Sequence, residues 1–397
     1  MQNKPDLPFI TLLLMISFAS VNAVMFTPAL PDIAAYFAVS HDDAQLTVSW
    51  FLIGYASGQL LYGPIANRYG RKPALYCGIA IQFFSSIVCI LSGVFHIFWL
   101  LVIGRLLLAL GSGVGLKMTF TLVNECYEPK AATKKISYLI LSFAITPGLS
   151  AALGGILTHQ YGWMSTFYAC MLYGAFLFFM VTRLPETMAE PDYTAMKWRS
   201  LIEHYAVQFK NKSLLIGAGI MGVTTSFVYS FAAVAPFVAI NLLGFNSAEY
   251  GVANIIPSLG LMIGSLVSAK LSESYSGKTM IRAGIVLTLL AGLIMLFAVW
   301  RHAGAINSLF IPMMLTYMAL SSILANAAGI AMQDVTDKAH GSAVMSFINM
   351  GIATVVVLSL GFLPVSTYLL PILFISFCAA MGLLYLLAFK PSREVIA

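Results

Sequence analysis

The chain has 397 residues, of which 60% are hydrophobic and only 9% charged, with a mean hydropathy of +0.89. That composition excludes a soluble globular protein and indicates an all-α membrane protein, because backbone groups inside lipid are satisfied by helices. The net charge of +6 would suit nucleic acid, but the charges sit in turns between apolar runs, as topology signals do, so no nucleic-acid partner is expected.

The first apolar run, 8–36, follows Lys4, is too long for a cleavable leader and lacks a small-residue cleavage site. Eleven more follow at 44–66, 73–94, 97–123, 135–158, 163–184, 213–241, 248–272, 278–300, 305–332, 340–363 and 366–389. They predict twelve transmembrane helices, numbered here as spans 1–12. The polar stretch 185–212 divides them into two six-helix halves, 1–184 and 213–397. Within it, 195–209 alternates apolar and charged residues and predicts a helix on the membrane surface. Every basic residue of the turns except Arg301 falls on one side, while Arg105 and Lys117 are left inside a span. This asymmetry predicts a multi-pass protein of the cytoplasmic (inner) membrane with both termini cytoplasmic.

Between spans 2 and 3 lies the turn Gly63-Pro64-Ile65-Ala66-Asn67-Arg68-Tyr69-Gly70-Arg71-Lys72. Gly63 allows close helix approach, and Gly70 permits the reversal. Arg68, Arg71 and Lys72 mark the cytoplasmic face. The turn resembles the signature loop between helices 2 and 3 of the major facilitator superfamily, Gly-x-x-x-Asp-Arg-x-Gly-Arg-Lys, with Asn67 in place of the Asp. The resemblance implies two similar halves that rock about a midplane cavity holding a small-molecule substrate. It also implies that Glu125, at the end of span 4, pairs with Arg71. Such a latch would hold the outward-open state and release in the inward-open one.

Span 4 carries Gly104-Arg105-Leu106-Leu107-Leu108-Ala109-Leu110-Gly111-Ser112-Gly113-Val114-Gly115. An arginine inside an apolar helix must face protein or water. Either Arg105 bonds backbone carbonyls of span 1 and holds the packing, or it takes part in substrate binding or coupling. Lys117 lies roughly 18 Å further along the axis. Either it snorkels or pairs with an acid such as Glu125, or it invites an anionic substrate. Span 5 contains Thr146-Pro147-Gly148 and Gly154-Gly155, followed by Gly162-Trp163; Pro147 and Gly148 predict a bend, and Gly154 and Gly155 close packing. It resembles the antiporter motif of exporters in the superfamily, with Ala151 in place of a second proline. With Thr27-Pro28-Ala29-Leu30-Pro31-Asp32 and Gly341-Ser342-Ala343, the chain resembles the bicyclomycin/chloramphenicol-resistance (Bcr/CflA) branch of drug:proton antiporters.

One departure matters. That branch places an acid four positions before the first proline, where this chain has Val24. All fifteen acids and six histidines fall at span ends or in loops, so the usual carboxylate route for a proton is missing. Polar residues expected to line the cavity include Gln59, Thr146, Thr225, Asn254 and Asn349, with Asn22, Tyr229 and Asn326 the chosen substrate contacts. No nucleophile–base pair or metal-ligand spacing appears, and the cysteines read as structural thiols. The chain therefore reads as a transporter and not an enzyme, a monomer in the lipid bilayer with no cofactor and no metal. The expected function is export of small amphipathic compounds, of multidrug efflux type. The alternative is transport of a specific anionic metabolite, such as a carboxylate siderophore or organic acid, in either direction. Short loops argue against a membrane sensor.

Overall fold

The computed structural model describes residues 7–188, 190–193 and 198–389. Lys4, Lys197, Lys390 and Arg393, expected on the basic side, lie outside them, as do both chain ends. The described residues form helices joined by short connections, without strands. Span 1 is Phe9–Val24, a 3-10 turn Thr27–Ala29 and Leu30–Phe37. Spans 2 and 3 are His41–Tyr69 and Arg71–Val94. Span 4 is Phe98–Ser112 continued as Val114–Cys126, and spans 5 and 6 are Pro129–Tyr161 and Met164–Thr182. The linker helix Trp198–Gln208 falls inside the stretch where a helix was expected. Span 7 is Lys212–Pro236 with a π-helical end Phe237–Leu242, and span 8 is Ser247–Ala253 and Ile255–Leu271. Spans 9 to 12 are Gly277–Trp300, Ile306–Phe310 with Ile311–Met332, Lys338–Leu360 and Leu369–Ala388.

Prolines account for most of the breaks. Pro28 has no N–H to give the Val24 carbonyl, and Thr27 Oγ1 donates to it instead at 2.9 Å. Pro257 withholds a donor from Ala253, where span 8 divides. Pro64 withholds one from Leu60 inside span 2; the Tyr205 hydroxyl of the linker helix donates to that carbonyl at 2.9 Å. The neighbouring His204 ring stacks on His340 at the start of span 11, 4.8 Å between centroids. The linker helix thus touches both sets of spans.

Among the described residues, eleven helices are long and apolar enough to cross a membrane. Span 2 is the exception, with 29 residues that include Ser49, Gly54, Gly58 and Gln59 buried against its neighbours. Helix packing removes the need for apolar side chains on that face. Span 2 still crosses, because its ends lie at opposite faces. At one face, Tyr36 and Phe37 from the end of span 1 pack on His96 and Trp163. At the other, Arg71 meets Glu125 and Glu186. These are called the far face and the basic face below.

The far half is sealed between the two sets of spans. Ala233, Phe237, Ala353 and Val357 join one apolar core with Ala19, Phe26, Phe37 and Phe51, and His41 stacks on Phe237 at 4.7 Å. Span 5 touches span 8 backbone to backbone. A Cβ on Gly155 would strike the Ser247 carbonyl oxygen and sit 2.9 Å from Gly251 Cα. Nearer the basic face, spans 1, 5 and 8 border an open groove of about 560 Å³ lined by Phe9, Tyr138, Leu141, Ser142, Ile145 and Met262. The structure is closed at the far face.

Candidate functional site

At the basic face the expected pair is formed. Arg71 Nη2 lies 2.6 Å from Glu125 Oε1, and Arg71 Nε donates to the same oxygen at 3.1 Å. Arg71 Nη1 donates to the Ala66 carbonyl at 2.9 Å and to Asn67 Oδ1 at 3.3 Å, so Asn67 supplies the acceptor of the usual Asp without its charge. Two residues just beyond span 6 complete the network. The Thr187 hydroxyl donates to Glu125, and Glu186 accepts from the backbone N–H groups of Arg71 and Lys72 at 3.0 and 2.9 Å. A carboxylate at the N-terminus of span 3 meets both its free donors and its dipole. Partial burial pushes the Glu186 pKa up, but these hydrogen bonds and those from Thr187 and Met188 N–H outweigh it and hold the pKa below the ordinary glutamate value. A depressed folded-state pKa means the stabilisation is complete above the unfolded value and is lost only as pH falls through the folded one. Gly70 adopts φ 110°, and a Cβ there would sit 2.7 Å from Glu186 Oε2. Arg68 lies over Tyr193 of the linker at 4.2 Å, and Lys72 Nζ donates to the Thr182 carbonyl at 2.9 Å.

The pair is intact while the far face is sealed. Arg71, Glu125, Asn67, Glu186 and Thr187 all lie on spans 2–4 or immediately after span 6. The network therefore lies within the first set of spans and the start of the linker. Reversing either charge, Arg71→Glu or Glu125→Arg, is expected to reduce transport several-fold at unchanged protein level. The pair is partly exposed and contributes about 0–1 kcal/mol. The double swap restores only part, because a glutamate at 71 faces Glu186 and an arginine at 125 cannot accept from Thr187.

Arg105 is 1% exposed. Its Nη1 donates to the Asn22 carbonyl of span 1 at 2.7 Å and its Nε to the Thr47 carbonyl of span 2 at 3.3 Å. The guanidinium is sandwiched by Phe26 and Phe51, with centroids at 3.6 and 4.4 Å. Holding spans 1 and 2 together is what this geometry does, although Nη2 is buried without a partner. Lys117 Nζ donates to the Gln59 carbonyl at 3.2 Å and fits because residue 63 is glycine; a Cβ there would lie 2.6 Å from it. Lys117 does not pair with Glu125, whose oxygens are engaged by Arg71 and Thr187.

Of the three expected substrate contacts, one is well placed. Asn22 is 1% exposed, accepts from Gln82 Nε2 at 2.8 Å and donates to the Phe18 carbonyl at 2.7 Å. It is a packing residue between spans 1 and 3. Asn326 donates to its own helix at Ser322 and lies beside Gly277 of span 9, away from the other candidates. Tyr229 of span 7 packs against the core of spans 1 and 2 and lies within electrostatic reach of Arg105, Tyr55 of span 2 and Tyr317 of span 10. None of these three tyrosine hydroxyls has a hydrogen-bond partner among the described residues. Tyr55 and Tyr317 are buried and Tyr229 is half-buried. Tyr55 and Tyr317 join Tyr229 in a phenolic cluster between the two sets of spans, with Tyr229 the member in reach of Arg105. The span 5 motif divides its contacts: Gly148 beyond Pro147 faces Ser258 of span 8, Gly154 faces the Met25 carbonyl of span 1, and Gly155 faces span 8.

Comparison with known proteins agrees with this arrangement. A family model described as Major Facilitator Superfamily matches residues 12–360. Multidrug resistance protein D of Escherichia coli (strain K12) is 24% identical over 328 residues, covering 81% of this chain and 80% of that protein. Multidrug resistance protein MdtL of Escherichia coli O9:H4 (strain HS) is 26% identical over 270 residues, covering 68% and 67%. Among solved structures, the partially occluded inward open conformation of the xylose transporter XylE from E. coli superposes with TM-score 0.75 at 13% identity, covering 96% of this chain and 97% of that one. At that identity the likeness speaks to the fold alone.

Proposed function

The chain belongs to the major facilitator superfamily, and on that premise we propose that it exports small amphipathic compounds by alternating access. It is a multi-pass membrane transporter and not an enzyme. In this reading the basic face is cytoplasmic, the halves 1–184 and 213–397 rock as a monomer, and 185–212 links them. The observation that carries the reading is the cluster of Tyr55, Tyr229 and Tyr317, three hydroxyls without a hydrogen-bond partner among the described residues, on large apolar rings drawn from both halves. Tyrosines offer broad apolar contact with an adaptable hydrogen bond, which suits chemically varied amphiphiles. The names of the two Escherichia coli relatives support the same direction of transport. Gating falls to Gly63, Asn67, Arg68, Gly70, Arg71, Lys72 and Glu125, with Glu186 and Thr187 added.

The test uses energised everted vesicles from a host stripped of its own drug exporters. Accumulation of an uncharged lipophilic dye is expected, and Tyr229→Ala should reduce it roughly tenfold, the effect of about 1.4 kcal/mol of lost contact. Absence of accumulation for every amphiphile tried, with movement of a small polar acid, would favour the second reading. That reading, a carrier for one anionic metabolite, draws on Lys117, whose ammonium has a single backbone acceptor.

A further inference from the structure

We infer that the transport path selects by the sign of charge, accepting uncharged and anionic amphiphiles and rejecting permanent cations. The inference rests on the exporter reading above and deepens it. Two observations carry it independently. First, the two cations embedded in span 4 have no carboxylate partner among the described residues: Arg105 is held by the Asn22 and Thr47 carbonyls and Lys117 by the Gln59 carbonyl. Neutral carbonyls orient such charges without cancelling them. The carboxylates nearest the path are committed elsewhere. Glu125 is taken by Arg71 and Thr187, and Asp32 is exposed at the far end of span 1, where Ser247 donates to it.

Second, the aromatic faces that would hold a drug cation are in use. Phe26 and Phe51 already sandwich the Arg105 guanidinium. A ring face stacked on one cation is not free for another. Of the tyrosines between the two sets of spans, Tyr229 lies within reach of that same positive charge, and Tyr55 is stacked on Phe51. A solute cation about 8 Å from that charge, at an effective dielectric of about 20, would lose roughly thirtyfold in occupancy by repulsion alone. An anion gains in the same proportion, less the cost of its own desolvation.

Tetraphenylborate and tetraphenylphosphonium make the matched probe pair, alike in size and shape and opposite in charge. Binding to the purified full-length chain is measured by equilibrium dialysis, with protein-free micelles subtracted. The expected result is at least tenfold tighter binding of the borate, with the gap narrowed in Lys117→Gln. The gap should close or reverse in Tyr229→Glu, which sets a carboxylate beside Arg105. A melting temperature for each variant separates loss of preference from loss of fold. Equal or tighter binding of the phosphonium overturns the inference and leaves the exporter reading standing. Binding of neither ion overturns the exporter reading, and this inference with it.

Discussion

Gly155→Leu is expected to abolish transport while leaving a folded protein that cannot close its far face. Gly155 is where span 5 meets span 8. A Cβ there would strike the Ser247 carbonyl oxygen and crowd Gly251, whose own Cβ would strike the Ala151 carbonyl oxygen. Overpacking a tight contact costs about 1–3 kcal/mol, and more when the obstacle is backbone that cannot rotate away. Here the two sets of spans escape that cost by parting. The penalty falls on the sealed state alone, and 1–3 kcal/mol shifts its population by roughly 5–150-fold. The neighbouring position provides the control. Gly154 faces the Met25 carbonyl oxygen of span 1, and spans 1 and 5 lie in the same half, so no rocking motion relieves the clash. Gly154→Leu should therefore lower the melting temperature and yield, whereas Gly155→Leu should keep both. Probing the Gly155→Leu protein with an aqueous thiol reagent at Phe237→Cys should show reaction from the far side, where Phe237 is now fully buried. An unreactive cysteine at 237 in a transport-dead Gly155→Leu protein would show that the seal does not depend on this contact.

How much of this was legible in the sequence depended on whether a signal is local. The spans were, because crossing lipid demands a long apolar helix. Span 2 strained the rule, since packing against neighbours replaces hydropathy on its buried face. The turn from Gly63 to Lys72 was legible because its glycines and cations serve a reversal only ten residues long. Glu186 and Thr187 were not, since their partners lie far away in the chain. The available clue was an acid and a hydroxyl just past span 6, with uncompensated bases elsewhere on the same face. Asn22 and Asn326 were ambiguous for a different reason. A polar residue in an apolar run either lines water or satisfies a neighbour, and spacing cannot separate the two. Gln82, which takes up the Asn22 oxygen, lies sixty positions away. Tyr55 and Tyr317 were not singled out in the sequence, because an aromatic in an apolar span carries no signal of its own until its unpartnered hydroxyl is seen.

The other large effect is expected at Arg105. Its two carbonyl partners lie on different helices, and the Asn22 carbonyl is in the last turn of the first segment of span 1, where intrahelical donors run out. Arg105→Ala removes two hydrogen bonds from a charged donor, each contributing about 1.5–3 kcal/mol, and leaves Phe26 and Phe51 facing a void. The melting temperature should fall markedly, and transport should fall at least tenfold. Arg105→Lys keeps the charge but replaces a planar fork with a point donor that cannot span both carbonyls or stack between two rings. It should recover only a small part of the stability. Comparing probes then separates structure from contact. If Arg105 only fixes spans 1 and 2, the folded fraction of the lysine variant binds neutral and anionic compounds in unchanged proportion. If Nη2, which has no protein partner, reaches the solute, affinity for the anion falls more than affinity for the neutral compound. Full activity in Arg105→Ala would remove both roles. Nothing would then account for the cost of burying a guanidinium inside a membrane span.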